Sequence, residues 1–206
     1  MTPSTGPYPG YTGSEPFSGS YSSTILKQFV ETLERWRDAQ TLDMGPVCQE
    51  NIMFFAGRMQ RHYVCDMFLR QQREPGNSSA DRDAFRHLDY PHRSFDGIQL
   101  WDLPDHLDDF QVRRLVKRCF EMLRSTGLLM LIAFEKKPMP DVINTFVIGE
   151  DCQLNVREQQ HLHLPWHCRH NRALMSLLAD FNIVKSFRYR SGLRELLFEK
   201  PGLIRD

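Results

Sequence analysis

Four acidic side chains follow short segments that are rich in strand-forming residues. They are Asp43, Asp66, Asp89 and Asp102, and Gly45 lies just beyond the first of them. If the segments are parallel strands, their carboxyl ends meet at one edge of a sheet, where open α/β sheets bind ligands. A glycine in the first turn lets the backbone approach a ligand closely, and an acid at the second strand end can accept both hydroxyls of a ribose. The pattern predicts a nucleoside-binding edge.

Apolar periodicity predicts the elements that position these residues. Ile25, Phe29, Leu33 and Trp36 recur at three- and four-residue steps, which is typical of one helix face. Further helices are predicted over residues 49–60, 80–88, 107–126 and 171–181, and strands over residues 41–45, 61–68, 88–91, 94–102 and 128–134.

The helix predicted over residues 107–126 has an apolar side that includes Phe110 and Leu115, and Gly127 follows its end. Glycine is common just after a helix. The strand of residues 128–134 is apolar throughout, which is typical of a strand covered on both faces. Residues 70–79 are polar and are predicted to form a loop.

Alternation of helices and strands up to residue 134 predicts right-handed crossovers and a mostly parallel sheet with helices on both faces. Residues 142–159 indicate a β-hairpin or an irregular insert. Residues 182–200 indicate two strands joined tightly at Ser191 and Gly192. The expected fold class is a doubly wound α/β fold with an antiparallel hairpin at its C-terminal end.

The chain of 206 residues suits one compact domain, which is predicted over residues 22–206. Residues 1–21 are rich in Pro, Gly, Ser, Thr and Tyr, a composition typical of a flexible or disordered tail. An alternative is that this tail folds over a ligand cleft. Residues 136–170 are a candidate insert on the substrate side of the domain.

Charge and cysteine content narrow the class of protein. The 26 basic residues balance 26 acidic ones, so net charge gives no indication of nucleic acid or of an anionic membrane as a partner. Five scattered cysteines without a CxxC pair indicate reduced thiols. The first residues do not resemble a signal peptide, and the longest apolar run is too short to span a bilayer. A cytoplasmic protein is expected.

The order and spacing of these segments resemble the class I S-adenosylmethionine-dependent methyltransferases. The likeness covers residues 25–200. It rests on "TLDMG", on Asp66 placed 21 residues after Gly45, on "LDYP", on "SFDGIQLWDLPDHL", on the amphipathic helix that follows, on "STGLLMLIAF" and on the closing hairpin. It implies a Rossmann-like methyltransferase fold with a mostly parallel sheet of seven strands. It also implies S-adenosylmethionine as the cofactor, and an unidentified small molecule or protein group as the methyl acceptor.

The resemblance also implies roles for individual residues. Asp43 and Gly45 match the acid and the first glycine of the family's first motif, and Asp66 matches the acid that binds the ribose hydroxyls. Asp89 falls near the acid that contacts the adenine amine, while Trp101 and Asp102 fall near the methionine part of the cofactor and the substrate. The cofactor-binding residues predicted in this way are Asp43, Gly45, Pro46, Asp66, Met67, Asp89, Trp101 and Asp102.

The glycine loop departs from the family pattern. Val47 and Gln49 stand where the family has its next glycines, and Pro46 removes an amide donor. Two functions therefore stay open: an active methyltransferase, and a methyltransferase-like binding or assembly module that has lost the cofactor. Another nucleotide-binding α/β protein is a third alternative, although the chain has neither a GxGxxG loop nor a phosphate-binding lysine. Asp66 could also serve only as a helix or loop cap.

Residues 161–170 contain several side chains of metal-binding types, namely His161, His163, His167, Cys168 and His170. Their spacing matches no zinc module, and Pro165 and Trp166 interrupt the run, so no metal site is predicted. A loop that leads into a helix capped by Asn171 is expected instead. An alternative places His163, Trp166 or His167 beside the cleft, as a substrate contact or a general base.

Overall fold

The structure is a computed structural model that describes residues 19–73, 85–138 and 142–202. Its helices are α1 (Thr24–Glu34), α2 (Gln49–Ala56), α3 (Met67–Arg73), α4 (Asp109–Met122) and α5 (Asn171–Leu177). Its strands are β1 (Ser20–Ser22), β2 (Gln40–Asp43), β3 (Arg61–Val64), β4 (Phe95–Trp101), β5 (Leu123–Phe134), β6 (Ile143–Ile148), β7 (Gln153–Gln159), β8 (Asn182–Arg188) and β9 (Leu193–Glu199). Short 3-10 helices span Leu103–His106 and Glu150–Cys152.

The main sheet has six strands in the order β3-β2-β4-β5-β9-β8. The first four are parallel, and β9 and β8 run antiparallel as the predicted C-terminal hairpin. The hairpin turns at Gly192, whose φ of 85° favours glycine. The prediction of a doubly wound α/β sheet with a C-terminal antiparallel hairpin is confirmed, and its six strands form a mixed sheet.

The prediction of seven strands is not confirmed within the described residues. Residues 88–91, where the third strand was expected, form no strand. Pro91 has no amide hydrogen to give to a sheet, and proline disfavours central strands. Asp89 therefore does not mark a strand end.

Two hydrophobic layers cover the main sheet. Helices α1 and α2 pack on one face, with Phe29 and Phe55 in their core. Helices α3, α4 and α5 pack on the other, with Phe68 and Leu115 in theirs. Successive residues of β5 alternate between the two cores, which confirms a strand covered on both faces.

A second sheet of three antiparallel strands has the order β1-β7-β6. Its hairpin, β6 with β7, lies within the predicted insert of residues 136–170. Ser20 and Tyr21, which were placed at the end of the flexible tail, belong to β1 and pair with Asn155 and Leu154. Residues 1–18 of that tail lie outside the described residues.

The side chain of Asn51 joins the insert to the main domain. This residue of α2 is buried, its Nδ2 donates to the carbonyl of Phe146 at 2.9 Å, and its Oδ1 accepts from the amide of Ile148 at 2.8 Å. The side chain amide of Asn51 thus makes two hydrogen bonds to the backbone of β6 of the kind that a neighbouring strand would make. The insert is fixed over α2, next to the turn that follows β2.

Tyr21 and Tyr189 fasten β1 to the main sheet. Both hydroxyls donate to the carboxylate of Glu195 in β9, at 3.0 and 3.1 Å. Glu195 is fully buried, and burial raises its pKa. Ser23 then caps the start of α1, because its hydroxyl accepts from the amide of Leu26.

Several predicted element ends were wrong. Helix α4 ends at Met122 rather than before Gly127, because Leu123 has extended backbone angles and pairs with Phe95. Phe110 is 64% exposed instead of buried. Asp108 and Gln111, which lie on either side of Phe110 in the sequence, form a capping box, so Phe110 lies in a first turn that faces solvent.

The region after β3 also differs from the prediction. The strand ends at Val64, and residues 67–73, expected to be strand and loop, form α3. Asp66 starts this helix by accepting from the amide of Leu69 at 2.8 Å. At α5, His170 rather than Asn171 is the cap residue, and its side chain makes no capping hydrogen bond. Within the described ranges, every helix is too short or too polar to cross a bilayer.

Candidate functional site

The strand order reverses between β2 and β4. From β2 the chain moves outward to β3, and from β4 it moves to the opposite side, to β5. At such a point two neighbouring connections diverge and leave a crevice at the carboxyl ends of the strands. Asp43 ends β2 and Trp101 ends β4, so the structure brings these two predicted residues to the crevice.

Asp43 holds the turn after β2 in place. Its Oδ1 accepts from the amide of Gly45 and from Nε1 of Trp101, both at 2.7 Å. The carboxyl is almost fully buried, and burial raises its pKa to about 6 although both donors favour the charged form. Pro46 is also buried, whereas Val47 is 63% exposed.

Gly45 is required by the indole of Trp101. A Cβ at this position would lie 2.5 Å from Cδ1 and 2.8 Å from Nε1 of that ring, closer than side chain carbons approach. Trp101 has a φ of 51°, which is uncommon for a residue other than glycine. Its ring stacks on Phe146 of the insert at 5.9 Å between centroids. Gly45 therefore leaves room for the indole of Trp101.

Replacing Gly45 by alanine should lower the free energy of unfolding by about 1 to 2 kcal/mol, because the added methyl group must displace the indole. The same change in a Trp101→Leu background should cost clearly less, since the shorter side chain leaves room. Chemical denaturation of the four proteins in this cycle measures the coupling. Equal costs in both backgrounds would contradict the contact.

Asp66 lies beside the same turn. Its Oδ2 accepts from the amide of Val47 at 3.2 Å, while its Oδ1 caps α3. The residue is half-buried. The ends of the two strands are also tied by backbone bonds from Cys65 to Asp43 and from Met67 to Met44. Met67 itself is fully buried in the core rather than lining the crevice.

Asp89 does not join this group of residues. Its side chain is 94% exposed and lies 3.6 Å from Arg118 of α4. The prediction that it marks the end of a third strand was wrong, because residues 88–91 form no strand.

Asp102 lies directly after β4 and is fully buried. Within the described residues, neither of its carboxylate oxygens has a hydrogen-bond partner. Its Oδ2 lies 3.6 Å from Nε2 of His106, one turn later in the 3-10 helix. Asp105, in the same turn, accepts from the amide of Phe134 at 2.6 Å, and burial raises its pKa to about 7.

The segment of residues 161–170 lies over this 3-10 turn. His167 donates its amide to the carbonyl of Asp105, and the ring of Trp166 is 4.2 Å from that of His106. Arg169 is buried and donates to the carbonyls of Pro104 and Leu107. The interpretation of a loop before a helix is confirmed, and of its aromatic residues Trp166 is in contact with the turn that carries Asp102.

His163 is exposed, and its amide donates to Gln72 of α3. Across residues 19–73, 85–138 and 142–202, no three His, Cys, Asp or Glu side chains are grouped so that they could hold a metal ion.

Three residues near the crevice were missed by sequence reasoning: Asn51, His106 and Phe146. The four-residue spacing of Asp102 and His106 could have signalled one helical turn. Nothing in the sequence indicates that Phe146 stacks on Trp101, since the two meet only through the insert.

No protein-family model and no curated protein sequence matches the chain. Among solved structures, the N-methyltransferase NodS from Bradyrhizobium japonicum superposes with a TM-score of 0.52, over 85% of this chain and 94% of its own, at 15% identity. The S-adenosylmethionine-dependent methyltransferase from Mesorhizobium loti superposes with a TM-score of 0.54, over 86% and 98%, at 12% identity.

These two likenesses extend over nearly the whole of both known structures and over most of this chain. Identities this low bear on the fold and not on activity. The chain therefore has the Rossmann-like α/β fold of S-adenosylmethionine-dependent methyltransferases.

Proposed function

We propose that the chain binds S-adenosylmethionine in the crevice between β2 and β4 and methylates a small molecule or protein group. The observation that carries this proposal is the position of Asp66. Its half-buried carboxylate lies two residues after the end of β3 and accepts from the loop amide of Val47 at 3.2 Å. An acid at this place, beside the turn after the first parallel strand, suits the two hydroxyls of a ribose.

The residues of the crevice fit the nucleoside part of this cofactor. Asp66 would hold the ribose, because each of its oxygens accepts one backbone hydrogen bond and keeps a further lone pair for a ligand. Pro46 and Val47 would border the nucleoside from the turn after β2. The cofactor supplies an activated methyl group, so the protein's part is to orient the acceptor and exclude water.

Trp101 favours a second candidate function, a binding or assembly module without methyl transfer. Its indole fills the space beside Gly45 and donates a hydrogen bond to Asp43, two of the residues that the resemblance assigns to the cofactor. In this case the indole of Trp101 would occupy the crevice in place of a cofactor. The two candidates differ in one property, the binding of the cofactor.

Calorimetry with S-adenosylhomocysteine distinguishes the two. We expect saturable binding to the wild-type protein, weakened by about tenfold or more in Asp66→Ala, because charge-assisted hydrogen bonds to the ribose are lost. Asp66→Asn separates this effect from folding, since asparagine also caps helices well. The asparagine variant should unfold like the wild type and still bind the ligand more weakly.

Two results would count against methyl transfer. The first is no heat of binding at millimolar S-adenosylhomocysteine. The second is binding that appears only when Trp101 is shortened to leucine, which would support the closed module. Asp89→Ala is the matched control, because this exposed acid lies outside the crevice and its loss should leave the affinity unchanged.

We also propose that the protein works in the cytoplasm. All five cysteines are free thiols, and four of them are buried. Unpaired thiols suit a reducing compartment.

A further inference from the structure

Strand β8 forms one edge of the main sheet and is exposed along its whole length. Among the described residues it pairs only with β9, so the backbone groups along its other side have no strand partner there. Each of its seven residues is exposed. An unpaired edge of this length is a template to which another chain can form hydrogen bonds. The edge is separate from the crevice after β2, because β5 and β9 lie between β4 and β8.

The edge is also apolar. Ile183, Val184 and Phe187 are 41 to 47% exposed. In the part of the chain that the structure describes, the three other large apolar side chains that are exposed lie singly, one in a loop and one in each of two helices. Single exposed apolar residues are normal at a protein surface, whereas a group of them marks an interaction site.

The pairing of β8 with β9 divides its side chains between the two faces of the sheet, because cross-strand partners share a face. Lys185 is opposite Leu197, which belongs to the core under α1 and α2. Phe187, two residues further on, lies on the same face as Lys185. Ile183 is opposite Phe198, which belongs to the other core. One face of the edge thus has a positive charge and an aromatic ring, and the other has an aliphatic side chain.

The charges of this edge are positive. Lys185 is exposed, and none of the described carboxylates lies within ion-pair distance of it. Arg188 is paired with Glu135 at 2.7 Å but remains 69% exposed. Arg190, just after the strand, is exposed as well, and β8 itself contains no acidic residue. A segment that pairs with this edge is therefore favoured if it carries acidic side chains.

We propose that β8 binds an extended, acidic peptide segment of another protein by strand addition. The segment pairs with Lys185–Arg188, the regular stretch that follows a register shift after Ile183. Backbone hydrogen bonds continue the main sheet, and alternate side chains of the segment lie on opposite faces. Acidic residues face Lys185 and apolar residues lie on the face of Ile183, so the partner has alternating acidic and apolar residues.

Two other occupants of the edge are disfavoured. A second copy, paired antiparallel about a two-fold axis, brings the positive charges of two β8 strands together, and like charges on paired strands are destabilising. Lysine on an edge strand commonly prevents such self-association. Residues 1–18 of the chain contain four prolines and one acidic residue, and proline cannot donate a hydrogen bond to a strand.

The test uses a synthetic peptide of about eight alternating glutamate and valine residues with blocked ends. The full chain, labelled with ¹⁵N, is titrated with this peptide, with a peptide in which lysine replaces glutamate, and with the glutamate peptide methylated at every backbone amide. We expect saturable shifts of the amide resonances of Lys185–Arg188 with the unmethylated glutamate peptide only. Its affinity should fall as the salt concentration rises.

Two charge-reversal variants identify the contact. Lys185→Glu should weaken binding of the glutamate peptide by about fivefold or more and should make the lysine peptide the tighter ligand, because the charge opposite the peptide changes sign. Lys117→Glu, at an exposed position of α4, changes the net charge equally and should bind both peptides like the wild type. Both lysines are exposed, so neither change should affect folding.

Four results would overturn the proposal. Absence of binding by the glutamate peptide is the first. Equal loss of affinity in the two variants would show that net charge alone attracts the peptide. Undiminished binding of the methylated peptide would exclude strand pairing. Shifts of the β8 amides on dilution of the chain without peptide would assign this edge to a second copy.

Discussion

Replacing Asn51 by alanine should detach the insert and lower the free energy of unfolding by about 2 to 6 kcal/mol. The side chain bonds the carbonyl of Phe146 and the amide of Ile148. Its loss leaves two buried backbone groups of β6 without partners, and each costs about 1 to 3 kcal/mol. Chemical denaturation measures the total, and hydrogen exchange at the amide of Ile148 should accelerate in particular.

Gln49 offers a matched control for this prediction. It lies in the first turn of the same helix but is exposed, so its change to alanine should alter the free energy of unfolding by less than about 0.5 kcal/mol. Similar values for the two variants would show that Asn51 does not hold the insert. Loss of stability with unchanged exchange at Ile148 would place the effect elsewhere in α2.

Replacing Asp105 by asparagine should remove part of the dependence of stability on pH. Burial raises the pKa of this carboxyl from 3.8 to about 7, so the folded protein keeps a proton that the unfolded chain releases. The unfolding free energy contributed by this group is therefore highest at acid pH and falls as the pH rises through this range. Between pH 5 and pH 8 the fall amounts to about 2 to 3 kcal/mol.

Asparagine cannot ionise but can still accept from the amide of Phe134. We expect the variant to be at least as stable as the wild type at pH 8 and to lose this advantage by pH 5. Burial lowers the pKa of His62 to about 4, which opposes the trend as the pH falls, but this contribution is common to both proteins and cancels. Thermal unfolding across this range tests the difference, with Asp180→Asn as the control. Parallel curves for Asp105→Asn and wild type would contradict it.

The order of the elements could be predicted because it depends on local patterns. The apolar run of β5 indicates a strand that is buried on both faces. The spacing of Ile25, Phe29 and Leu33 indicates the buried face of α1. Phe110 has the same periodicity but lies in a first turn, where a capping box sets the helix start and the side chain faces solvent. Periodicity alone does not distinguish these two situations.

The candidate site could be predicted only in part. Asp43, Asp66 and Asp102 lie at or just after strand ends in the structure, and an acid in such a position can be read along the chain. The contact of Trp101 with Gly45, and that of Asn51 with Phe146, join segments that are distant in sequence. Their side chains meet through tertiary packing, for which the sequence has no local signal.

The contacts that hold β1 against β7 and β9 have a consequence for the order of folding. The strand partner of β1 is β7, and Tyr21 is bonded to Glu195, 174 positions further along the chain. Contacts of such separation form slowly, because a long loop must close before they contribute. During synthesis from the N-terminal end, Ser20–Ser22 cannot form all of these contacts until almost all of the other strands have been synthesised. A ribosome-bound chain that stops before β9 should therefore leave this segment open to proteases, although it is synthesised before the other described strands.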